Sequence, residues 1–285
     1  MRRPTVLVTG AGGQLGTDLV ATFEAGGHHV VAADRATLDV SDRHAVLQAL
    51  TGVRPELVVH AAAWTAVDAC ESDPDRAYAV NALGTRHVAE GARLVGAHVV
   101  AISTDYVFDG TSDRPYVEWD QPNPQSVYGR SKLGGELELD PAATLVRTGW
   151  VVGPHGHNMA KTVLRLHAEG RPLAFVDDQR GSPTTTGDLA AAVCRLAVAR
   201  QPGTFHVTNQ GDTTWHGFAR AVVAAAGGDP GAVRAITTAE LDPPRQAPRP
   251  AMSVLDNAAL RLQGLPLLPD WKDSLDRLVK ELVGE

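Results

Sequence analysis

Residues 5–16, TVLVTGAGGQLG, lead from a short apolar segment directly into a loop with glycines at 10, 12, 13 and 16. Segment 5–10 is rich in β-branched residues and stops at a glycine, which predicts a buried parallel strand. Residues 13–27 carry apolar side chains at helical spacing and end at a glycine pair, which predicts a helix. Glycines between a strand and a helix let the backbone approach a pyrophosphate, and the helix N-terminus offers it free N–H groups. The alternative is an ordinary flexible loop without a ligand, which this order of strand, loop and helix disfavours.

The alternation of strand and helix continues through the first half of the chain. Further strands are predicted at 28–34, 55–63, 97–104 and 143–153, and further helices at 41–52, 73–96 and about 128–139. Ser41 is the expected N-cap of the second helix and Gly52 its end. Such alternation is typical of βαβ units with a parallel sheet and right-handed crossovers. The sequence therefore predicts an α/β fold, a Rossmann-type doubly wound parallel sheet with a smaller C-terminal substrate-binding lobe.

The pattern becomes less regular after about residue 150. Helices are predicted at 158–170, 185–200, 215–228 and 271–285, a strand at 203–209, and an irregular Pro- and Arg-rich segment at 241–257. We assign residues 1–150 to an NAD(P)-binding Rossmann domain and 151–285 mainly to a substrate-binding lobe. The chain is expected to return to the first domain near 185–209, so the boundary is not clean.

Composition limits the classes of function. The chain has 285 residues and a net charge of −7 spread along its length, which argues against a nucleic-acid-binding surface. Its two cysteines, Cys70 and Cys194, form no metal-ligand or redox spacing. The apolar run near the N-terminus is too short for a signal peptide or a membrane span. We expect a cytoplasmic protein without nucleic-acid or membrane partners.

Asp34 is the candidate for recognising the adenosine end of a dinucleotide. It lies at the end of the second predicted strand, 18 residues after Gly16. A carboxylate at this place can accept hydrogen bonds from an adenine ribose, whereas the adjacent Arg35 could hold a 2′-phosphate. These two residues leave the choice between NADPH and NADH open, and we expect NADPH, with NADH possible. The alternative is that Asp34 is only a turn residue.

Two further stretches lie where a cofactor would pass. Asp39 could reach the adenine end of a dinucleotide. The small residues of HAAA (60–63) end the third predicted strand, where ligands of open α/β sheets bind. These alanines could equally serve only for packing.

The stretch YGRSK (128–132) places a tyrosine and a lysine four residues apart at the start of a predicted helix. Four residues span about one turn, so Tyr128 and Lys132 share a face. A free phenol ionises near pH ~10, and a neighbouring ammonium favours the phenolate. We therefore predict that Lys132 lowers the pKa of Tyr128 and also holds a nicotinamide ribose, while Tyr128 gives its proton to a carbonyl oxygen. Without the glycine loop, a tyrosine in a groove beside a solvated lysine would be the better interpretation.

The stretch ISTDYVFDG (102–110) starts at the C-terminal end of the fourth predicted strand. Thr104 could donate a second hydrogen bond to the same carbonyl oxygen. Asp105 and Tyr106 could reach hydroxyl groups of a sugar. The alternative is an ordinary strand-to-loop turn, which Ser, Thr, Asp and Gly all favour.

These motifs together resemble the extended short-chain dehydrogenase/reductase family. The resemblance rests on TGAGGQLG, HAAA, STDYVFDG and YGRSK, and extends along nearly the whole chain through HAAAWTAVDACE (60–71), AVNALGT (79–85), RTGWVVGPHGHNMAKTVLRL (147–166), DDQRGSPT (177–184), TTWHGFARAV (213–222) and RPAMSVLDN (249–257). It implies reduction of the C4 ketone of dTDP-4-dehydro-L-rhamnose to dTDP-L-rhamnose by hydride transfer from NADPH or NADH. The implied partner is the nucleotide sugar, and a homodimer is compatible with the sequence but not fixed by it.

The resemblance also implies roles for individual residues. Tyr128 would be the proton donor, Lys132 its partner and Thr104 the polarising group. Trp150 would stack on the sugar ring, for which an indole is a large flat platform, with Asp105 and Asn158 nearby.

The predicted catalytic set is Thr104, Tyr128 and Lys132. The predicted cofactor-binding set is Gly10, Gly12, Gly13, Gln14, Leu15, Gly16, Asp34, Arg35, Asp39, Val40, Ala61, Ala62, Ala63, Thr65, Tyr128 and Lys132. The predicted substrate set is Thr104, Asp105, Tyr106, Tyr128, Trp150, Asn158, Arg180 and Arg249. The candidate cations for the diphosphate are Lys161, Arg165, Arg180 and Arg249, each of which could also be a surface charge.

The chain departs from the family pattern at several positions. His60 stands where the family often has asparagine. Some members bind Mg²⁺ through acidic side chains at a subunit contact, where this chain has the shorter acid Asp18 at one position and Gly187, followed by Asp188, at another. We therefore predict no metal.

Rival functions differ in how well they fit. Dehydratases of this superfamily carry an Asp-Glu pair after the threonine, and here Tyr106 replaces the glutamate, so elimination lacks its base. Epimerisation of a nucleotide sugar is the other rival within the superfamily. Reduction of another nucleotide-linked 4-keto-6-deoxy sugar stays open. So does a non-catalytic NADP-binding regulatory subunit, although the set of Thr104, Tyr128 and Lys132 argues against it.

Overall fold

The computed structural model describes residues 3–284. Its strands in chain order are Thr5–Thr9 (β1), His29–Ala33 (β2), Leu57–His60 (β3), His98–Thr104 (β4), Thr144–Thr148 (β5), Val151–Val152 (β6), Leu173–Val176 (β7), Arg180–Gly181 (β8), Thr184–Thr185 (β9), Gly203–His206 (β10), Thr213–Thr214 (β11) and Val233–Ile236 (β12). Its α-helices are Gln14–Ala25 (α1), Arg43–Val53 (α2), Val67–Ser72 (α3), Pro74–Tyr78 (α4), Gly84–Val95 (α5), Val127–Glu136 (α6), Met159–Ala168 (α7), Thr186–Val198 (α8), Trp215–Ala225 (α9), Ala258–Leu262 (α10) and Trp271–Val283 (α11). Within residues 3–284, no helix has the length and apolar character needed to cross a lipid bilayer.

A six-stranded parallel sheet forms the centre, with strand order β2-β1-β3-β4-β5-β10. The order reverses at β1, because the chain first adds β2 on one side and then β3 on the other. Open α/β sheets bind ligands outside the carboxyl ends of their strands at such a reversal. The predicted doubly wound α/β fold is therefore confirmed, and it places the glycine loop after β1 at this point.

Both faces of the sheet are buried, as a parallel sheet requires. Successive side chains of β1 point to opposite faces: Val6 and Val8 pack with Leu19 of α1, whereas Leu7 packs with Leu50 of α2. This explains why the strand reads as a continuous apolar run rather than as an alternating one.

The second half of the chain contributes both to this sheet and to a separate lobe. Helix α8 packs against α1, and β10 pairs with β5 at the edge of the sheet. Helices α7, α9 and α11 instead enclose their own apolar cluster, which includes Phe218, Trp271 and Leu275. The predicted division of functions between residues 1–150 and 151–285 stays a prediction.

The predicted helix 73–96 is not a single regular α-helix. Pro74 begins α4, a π-helical turn spans Ala79–Leu83, and α5 follows from Gly84. Within the π turn, the Asn81 side chain accepts a hydrogen bond from the Trp64 backbone N–H at 2.8 Å and donates to Ser131 Oγ at 2.9 Å. These contacts join segments distant in the sequence, so helical periodicity alone gives no sign of them.

Two predicted boundaries of α2 are wrong. Asp42, not Ser41, caps the helix by accepting from the Ala45 N–H, while the Ser41 hydroxyl bonds to Asp39. The helix passes through position 52 and ends at Val53, with Arg54 in the left-handed region at φ 49°.

The predicted strand 143–153 is interrupted. It stops at Thr148, since Trp150 adopts φ 49°, and β6 then pairs with β9 instead of the central sheet. The predicted helix 271–285 ends at Val283, and position 285 lies outside the described residues.

Candidate active site

Two cavities open at the carboxyl ends of the central strands and share lining residues from the glycine loop and from 61–63. The Asp34 cavity, of about 410 Å³, is lined by Gly10, Gly12, Gly13, Asp34, Arg35, Ala36, Leu38, Asp39, Val40, Ala61, Ala62, Ala63, Trp64, Arg76 and Val80. The Tyr128 cavity, of about 450 Å³, is lined by Gly10, Gly13, Gln14, Leu15, Gly16, Ala61, Ala63, Thr65, Val67, Ile102, Ser103, Thr104, Asp105, Tyr106, Tyr128, Lys132, Thr148, Gly149, Trp150, Val151, His157, Asn158 and Trp215. Every residue of the predicted cofactor set lines one of these two cavities.

The glycine loop is shaped by close backbone contacts. Gly10 has φ +69°, and a Cβ there would lie 2.7 Å from the Ala62 backbone nitrogen. A Cβ on Gly16 would overlap the carbonyl oxygen of Gly10. Helix α1 starts after Gly13, and because glycine has no side chain, no side-chain cap covers the first N–H groups of the helix. The loop therefore forms a cradle at the start of α1, and helix N-termini of this kind are favourable sites for anions such as phosphate.

Asp34 is tied into the turn that follows β2. Its Oδ1 accepts hydrogen bonds from the backbone N–H groups of Ala36 at 3.0 Å and Thr37 at 2.9 Å, and from the Thr37 hydroxyl at 2.9 Å. These bonds lower the pKa of Asp34, those from Thr37 most. The carboxylate is therefore held in place at the rim of the Asp34 cavity, where Arg35 also lies.

Arg76 and Trp64 are lining residues that the sequence analysis missed. The Arg76 guanidinium lies over the Trp64 ring, 4.4 Å from its centroid. Arg76 and Val80 are one helical turn apart and both line the Asp34 cavity, as does Trp64, which directly follows the predicted alanines. The four-residue spacing of Arg76 and Val80 was the sequence signal from which this wall of the Asp34 cavity could have been predicted.

His60 is a structural residue below the alanines. Its Nδ1 is 2.7 Å from Thr9 Oγ1 and its Nε2 is 3.2 Å from Thr85 Oγ1, so it joins β1, β3 and α5. Burial, and to a smaller extent the charge of Lys132, lower the pKa of His60 to about 3. The ring is therefore neutral at physiological pH.

Tyr128 and Lys132 lie on one face of α6, which begins where Ser126 accepts a hydrogen bond from the Gly129 N–H. Both are more than nine-tenths buried and both line the Tyr128 cavity. The Lys132 ammonium donates to the carbonyl oxygen of Ile102 at 2.8 Å. Burial lowers the pKa of Lys132 to about 8, and Glu136 opposes this shift.

The prediction that the pKa of Tyr128 is lowered is wrong in sign. Burial raises it well above its usual range, and a hydrogen bond with Thr104 only partly opposes the rise. The physical reason is that desolvation of a phenolate outweighs the stabilising groups around it. A neutral phenol keeps its proton at physiological pH, which a proton donor needs.

Thr104 ends β4 and Asp105 follows it, both at the wall of the same cavity. Thr104 Oγ1 donates to Asp105 Oδ1 at 3.0 Å and accepts from the Tyr106 N–H at 3.2 Å. Burial raises the pKa of Asp105 to about 6, against hydrogen bonds with Ser253 and Thr104. The Tyr106 ring packs edge-on against Tyr128, with centroids 5.7 Å apart. The structure thus brings the predicted residues of this strand end together with Tyr128.

Trp150 lies against Trp215, a lining residue that the sequence analysis left unassigned. The two indoles are parallel, with centroids 3.6 Å apart and an interplanar angle of 1°. Gly181 is so close that a Cβ would overlap the Trp150 ring. Trp215 and Gly181 therefore fix the plane of Trp150.

Asn158 and Gln14 connect the glycine loop to the lobe. Asn158 Nδ2 donates to Gln14 Oε1 at 2.6 Å and to the Gly153 carbonyl at 2.8 Å. Its Oδ1 caps α7 by accepting from the Lys161 N–H at 3.1 Å. Gln14 Nε2 donates to the Val151 carbonyl at 3.1 Å. Asn158 therefore has a structural role in addition to lining the cavity.

The structure does not bring the four candidate cations into the Tyr128 cavity. Arg180 pairs with Asp212, Arg165 with Glu169, and Lys161 donates to the carbonyls of Pro154 and Gly156. Arg249 Nη2 donates to Asp68 Oδ2 at 2.8 Å and lines a separate cavity of about 50 Å³ together with Tyr106. Nearby carboxylates and carbonyls bind these side chains, which the sequence pattern does not reveal.

The acids discussed for a metal lie in a different part of the molecule. Asp18 is 3.4 Å from His155, and Asp188 accepts hydrogen bonds from Asn209 and Ser274. In the described part of the chain, no group of three or more His, Cys, Asp or Glu side chains is arranged to hold a metal ion. The expectation of no metal stays a prediction.

Known proteins match this chain along nearly its whole length. The family model of the RmlD substrate binding domain matches residues 4–283. A dTDP-4-dehydrorhamnose reductase of Streptomyces griseus is 42% identical, with 99% of this chain and 95% of that protein covered. A probable dTDP-4,6-dihydroxy-2-methyloxan-3-one 4-ketoreductase of Streptomyces antibioticus is 43% identical, with 98% and 95% covered. The crystal structure of a dTDP-4-dehydrorhamnose reductase from Bacillus anthracis in complex with NADP has a TM-score of 0.94 at 36% identity, with 98% of this chain and 99% of that chain covered.

The sequence and fold comparisons cover the same part of the chain. The matched residues include the glycine loop, the end of β4 and α6, each of which contributes lining residues to the Tyr128 cavity. The chain belongs to the family of the RmlD substrate binding domain.

Proposed function

We propose that this protein is an enzyme that reduces the C4 ketone of dTDP-4-dehydro-L-rhamnose to dTDP-L-rhamnose with NADPH. The observation that carries the proposal is the grouping of Thr104, Tyr128 and Lys132 in one cavity that shares its wall with the glycine cradle. The names of relatives at about 40% identity over the full length support the same reaction.

NADPH fits the chain's own residues, and when bound it supplies the hydride. The cradle of Gly10, Gly13 and Gly16 would hold the pyrophosphate at the start of α1. Asp34 and Arg35 would contact the adenosine ribose or its 2′-phosphate. The complex of the Bacillus anthracis relative with NADP favours NADPH over NADH.

The residues grouped around Tyr128 have distinct tasks in this proposal. The Tyr128 phenol, kept neutral by burial, donates its proton to the developing alkoxide oxygen. Thr104, at the wall of the same cavity, would turn its hydroxyl from Asp105 to the same oxygen and stabilise it. Lys132 holds the nicotinamide ribose and remains beside Tyr128 through its bond to Ile102. Trp150 offers an indole for the apolar face of the sugar, with Asp105 and Asn158 near the hydroxyls.

A related sugar is the second candidate substrate. The relative from Streptomyces antibioticus carries the name of a 4-ketoreductase for a different dTDP-linked sugar, at nearly the same identity as the rhamnose enzyme. The two activities share hydride and proton transfer to a ketone, so the same Tyr128 and Thr104 would serve both.

The test is oxidation of NADPH, followed by absorbance, across a panel of dTDP- and UDP-linked keto sugars. We expect the highest kcat/KM for dTDP-4-dehydro-L-rhamnose, with dTDP-L-rhamnose as the product. A higher value for another dTDP-linked 4-keto-6-deoxy sugar would assign that substrate instead. NADPH binding without turnover on any sugar would contradict the enzyme and favour a regulatory subunit.

The Asp34→Asn substitution tests cofactor preference. An amide oxygen can still accept the hydrogen bonds of Ala36 and Thr37, so the turn is kept while the negative charge is lost. Because that charge repels a 2′-phosphate, the ratio of kcat/KM for NADPH to that for NADH should rise roughly fivefold to tenfold. The control is Thr37→Val, which removes a hydroxyl bonded to Asp34 and leaves the charge. An unchanged ratio in Asp34→Asn would mean that the carboxylate does not face the ribose.

A homodimer, a cytoplasmic location and a mainly substrate-binding role for residues 151–285 stay predictions. Trp150, at the junction of the two parts, and Asn158, in the lobe, support the last of these, since both line the Tyr128 cavity.

A further inference from the structure

A buried ion pair lies directly behind the catalytic face of α6. Glu136, the last residue of α6, is one turn after Lys132 and pairs with Arg147 of β5. The Arg147 Nε is 3.0 Å and its Nη2 2.6 Å from the two carboxylate oxygens of Glu136. The side chain of Arg147 is only 7% exposed and that of Glu136 only 5%. Removal of one partner would leave a buried charge without compensation, so the pair acts as a unit.

The pair also ties α6 to β4. The Ser103 hydroxyl donates to Glu136 Oε1 at 2.5 Å, and Ser103 directly precedes Thr104. One residue earlier, the Ile102 carbonyl accepts the hydrogen bond of Lys132. Two adjacent residues of β4 are therefore bonded to two residues of α6 one turn apart. This arrangement fixes the distance between the strand end that carries Thr104 and the helix that carries Tyr128.

We propose that the Glu136–Arg147 pair is a positioning device for Lys132, which holds α6 on β4 and balances the charge around the ammonium group. The proposal rests on the proposed function in one respect, which is the role of Lys132 at the nicotinamide ribose and beside Tyr128. No contact with substrate or cofactor is assigned to Glu136 or Arg147.

Several charged or titratable groups lie on the elements packed around Lys132. Glu136 of α6 and His60 of β3 interact with it electrostatically, Tyr128 and Asp105 line the same cavity, and Arg147 of β5 pairs with Glu136. His60 is neutral, and the pKa of Tyr128 is raised, so neither adds charge near pH 7. Glu136 raises the pKa of Lys132 against the effect of burial. Loss of the carboxylate alone would leave the Arg147 cation behind Lys132 and lower the pKa of Lys132 further.

The chain allows a direct measurement, because its sequence contains only four lysines, Lys132, Lys161, Lys272 and Lys280. Lysine labelled with ¹³C at Cε gives one signal per residue, and the Lys132 signal is identified by its loss in Lys132→Met. The titration is followed by NMR without cofactor or substrate. Lys272 and Lys280, on the exposed side of α11, are internal controls.

Three variants separate charge from packing. In Glu136→Gln, the Lys132 midpoint should move down by about one pH unit, because a negative charge is lost. In Arg147→Met, it should move up by a smaller amount, because the positive charge that is lost lies on the far side of Glu136. The double variant changes no net charge and should return the midpoint toward that of the unaltered protein. Lys272 and Lys280 should not move in any variant.

The outcomes that overturn the proposal are equally distinct. An unmoved Lys132 signal in Glu136→Gln, or shifts of the same direction in both single variants, would mean that the pair does not act through charge. If Glu136→Gln does not fold, the difference between Arg147→Met and the double variant reports the same carboxylate. The pH dependence of kcat/KM tests the proposed function separately. That function fails if the Lys132 midpoint shifts in a variant while the alkaline limb of its kcat/KM profile does not shift with it.

Discussion

A Tyr128→Phe enzyme is expected to lose about 10²- to 10⁴-fold in kcat, the usual contribution of a positioned proton donor. The ring remains, so its edge-on packing against Tyr106 and its burial should persist. Affinity for NADPH should change little, because the phenol oxygen is the only group removed. Steady-state kinetics with the best sugar of the panel and fluorescence titration of NADPH measure the two effects.

Tyr78→Phe is the matched control for this substitution. Tyr78 is 40% exposed and lines neither cavity, and the substitution also removes one phenol oxygen. Its kcat should equal that of the unaltered protein. A Tyr128→Phe enzyme with full kcat would assign the proton donor to another group, and the Tyr128 cavity would then need a different acid.

Lys132→Ala should damage both turnover and cofactor binding. The substitution takes away the donor proposed for the nicotinamide ribose and leaves the Ile102 carbonyl without its partner. Loss of a hydrogen bond from a charged group should weaken NADPH binding by roughly 10- to 100-fold. The kcat should fall by about 10²-fold or more, since the cofactor and Tyr128 both lose their neighbour. Fluorescence titration measures the affinity for NADPH, and kcat is measured separately at saturating cofactor.

The control is Lys272→Ala, which removes an exposed lysine from the start of α11, away from both cavities. Thermal unfolding of both variants separates loss of function from loss of the fold. Unchanged NADPH affinity in Lys132→Ala would count against the role at the ribose, and would leave Lys132 with a role toward Tyr128 alone.

Local sequence signals were sufficient for the fold and for much of the candidate site. The β1 run, the glycines and the periodicity of α1 act over a few residues, so they can be read directly from the chain. The spacing of Tyr128 and Lys132 is equally local, because a helix fixes which residues share a face. Repetition of the strand–helix pattern then predicted the parallel sheet and the edge at which the site lies.

Properties that depend on distant segments were not accessible in the same way. The direction of the Tyr128 pKa shift is set by how deeply the folded protein buries the phenol, which no spacing encodes. Arg180 and Arg249 looked available for a diphosphate, yet Asp212 and Asp68 bind them across gaps of 32 and 181 residues. Trp215 went unassigned because its stacking on Trp150 joins two parts of the chain.

The position of β10 beside β5 has a consequence for protein engineering. A fragment cut after residue 150 would contain the glycine loop and α6, yet it would expose the hydrogen-bonding edge of β5 and the side of α1 that α8 now covers. Unprotected strand edges recruit other chains and promote aggregation. The half of the chain that carries the glycine loop is thus not a detachable module, and chimaeras between relatives have to exchange segments at two junctions rather than one.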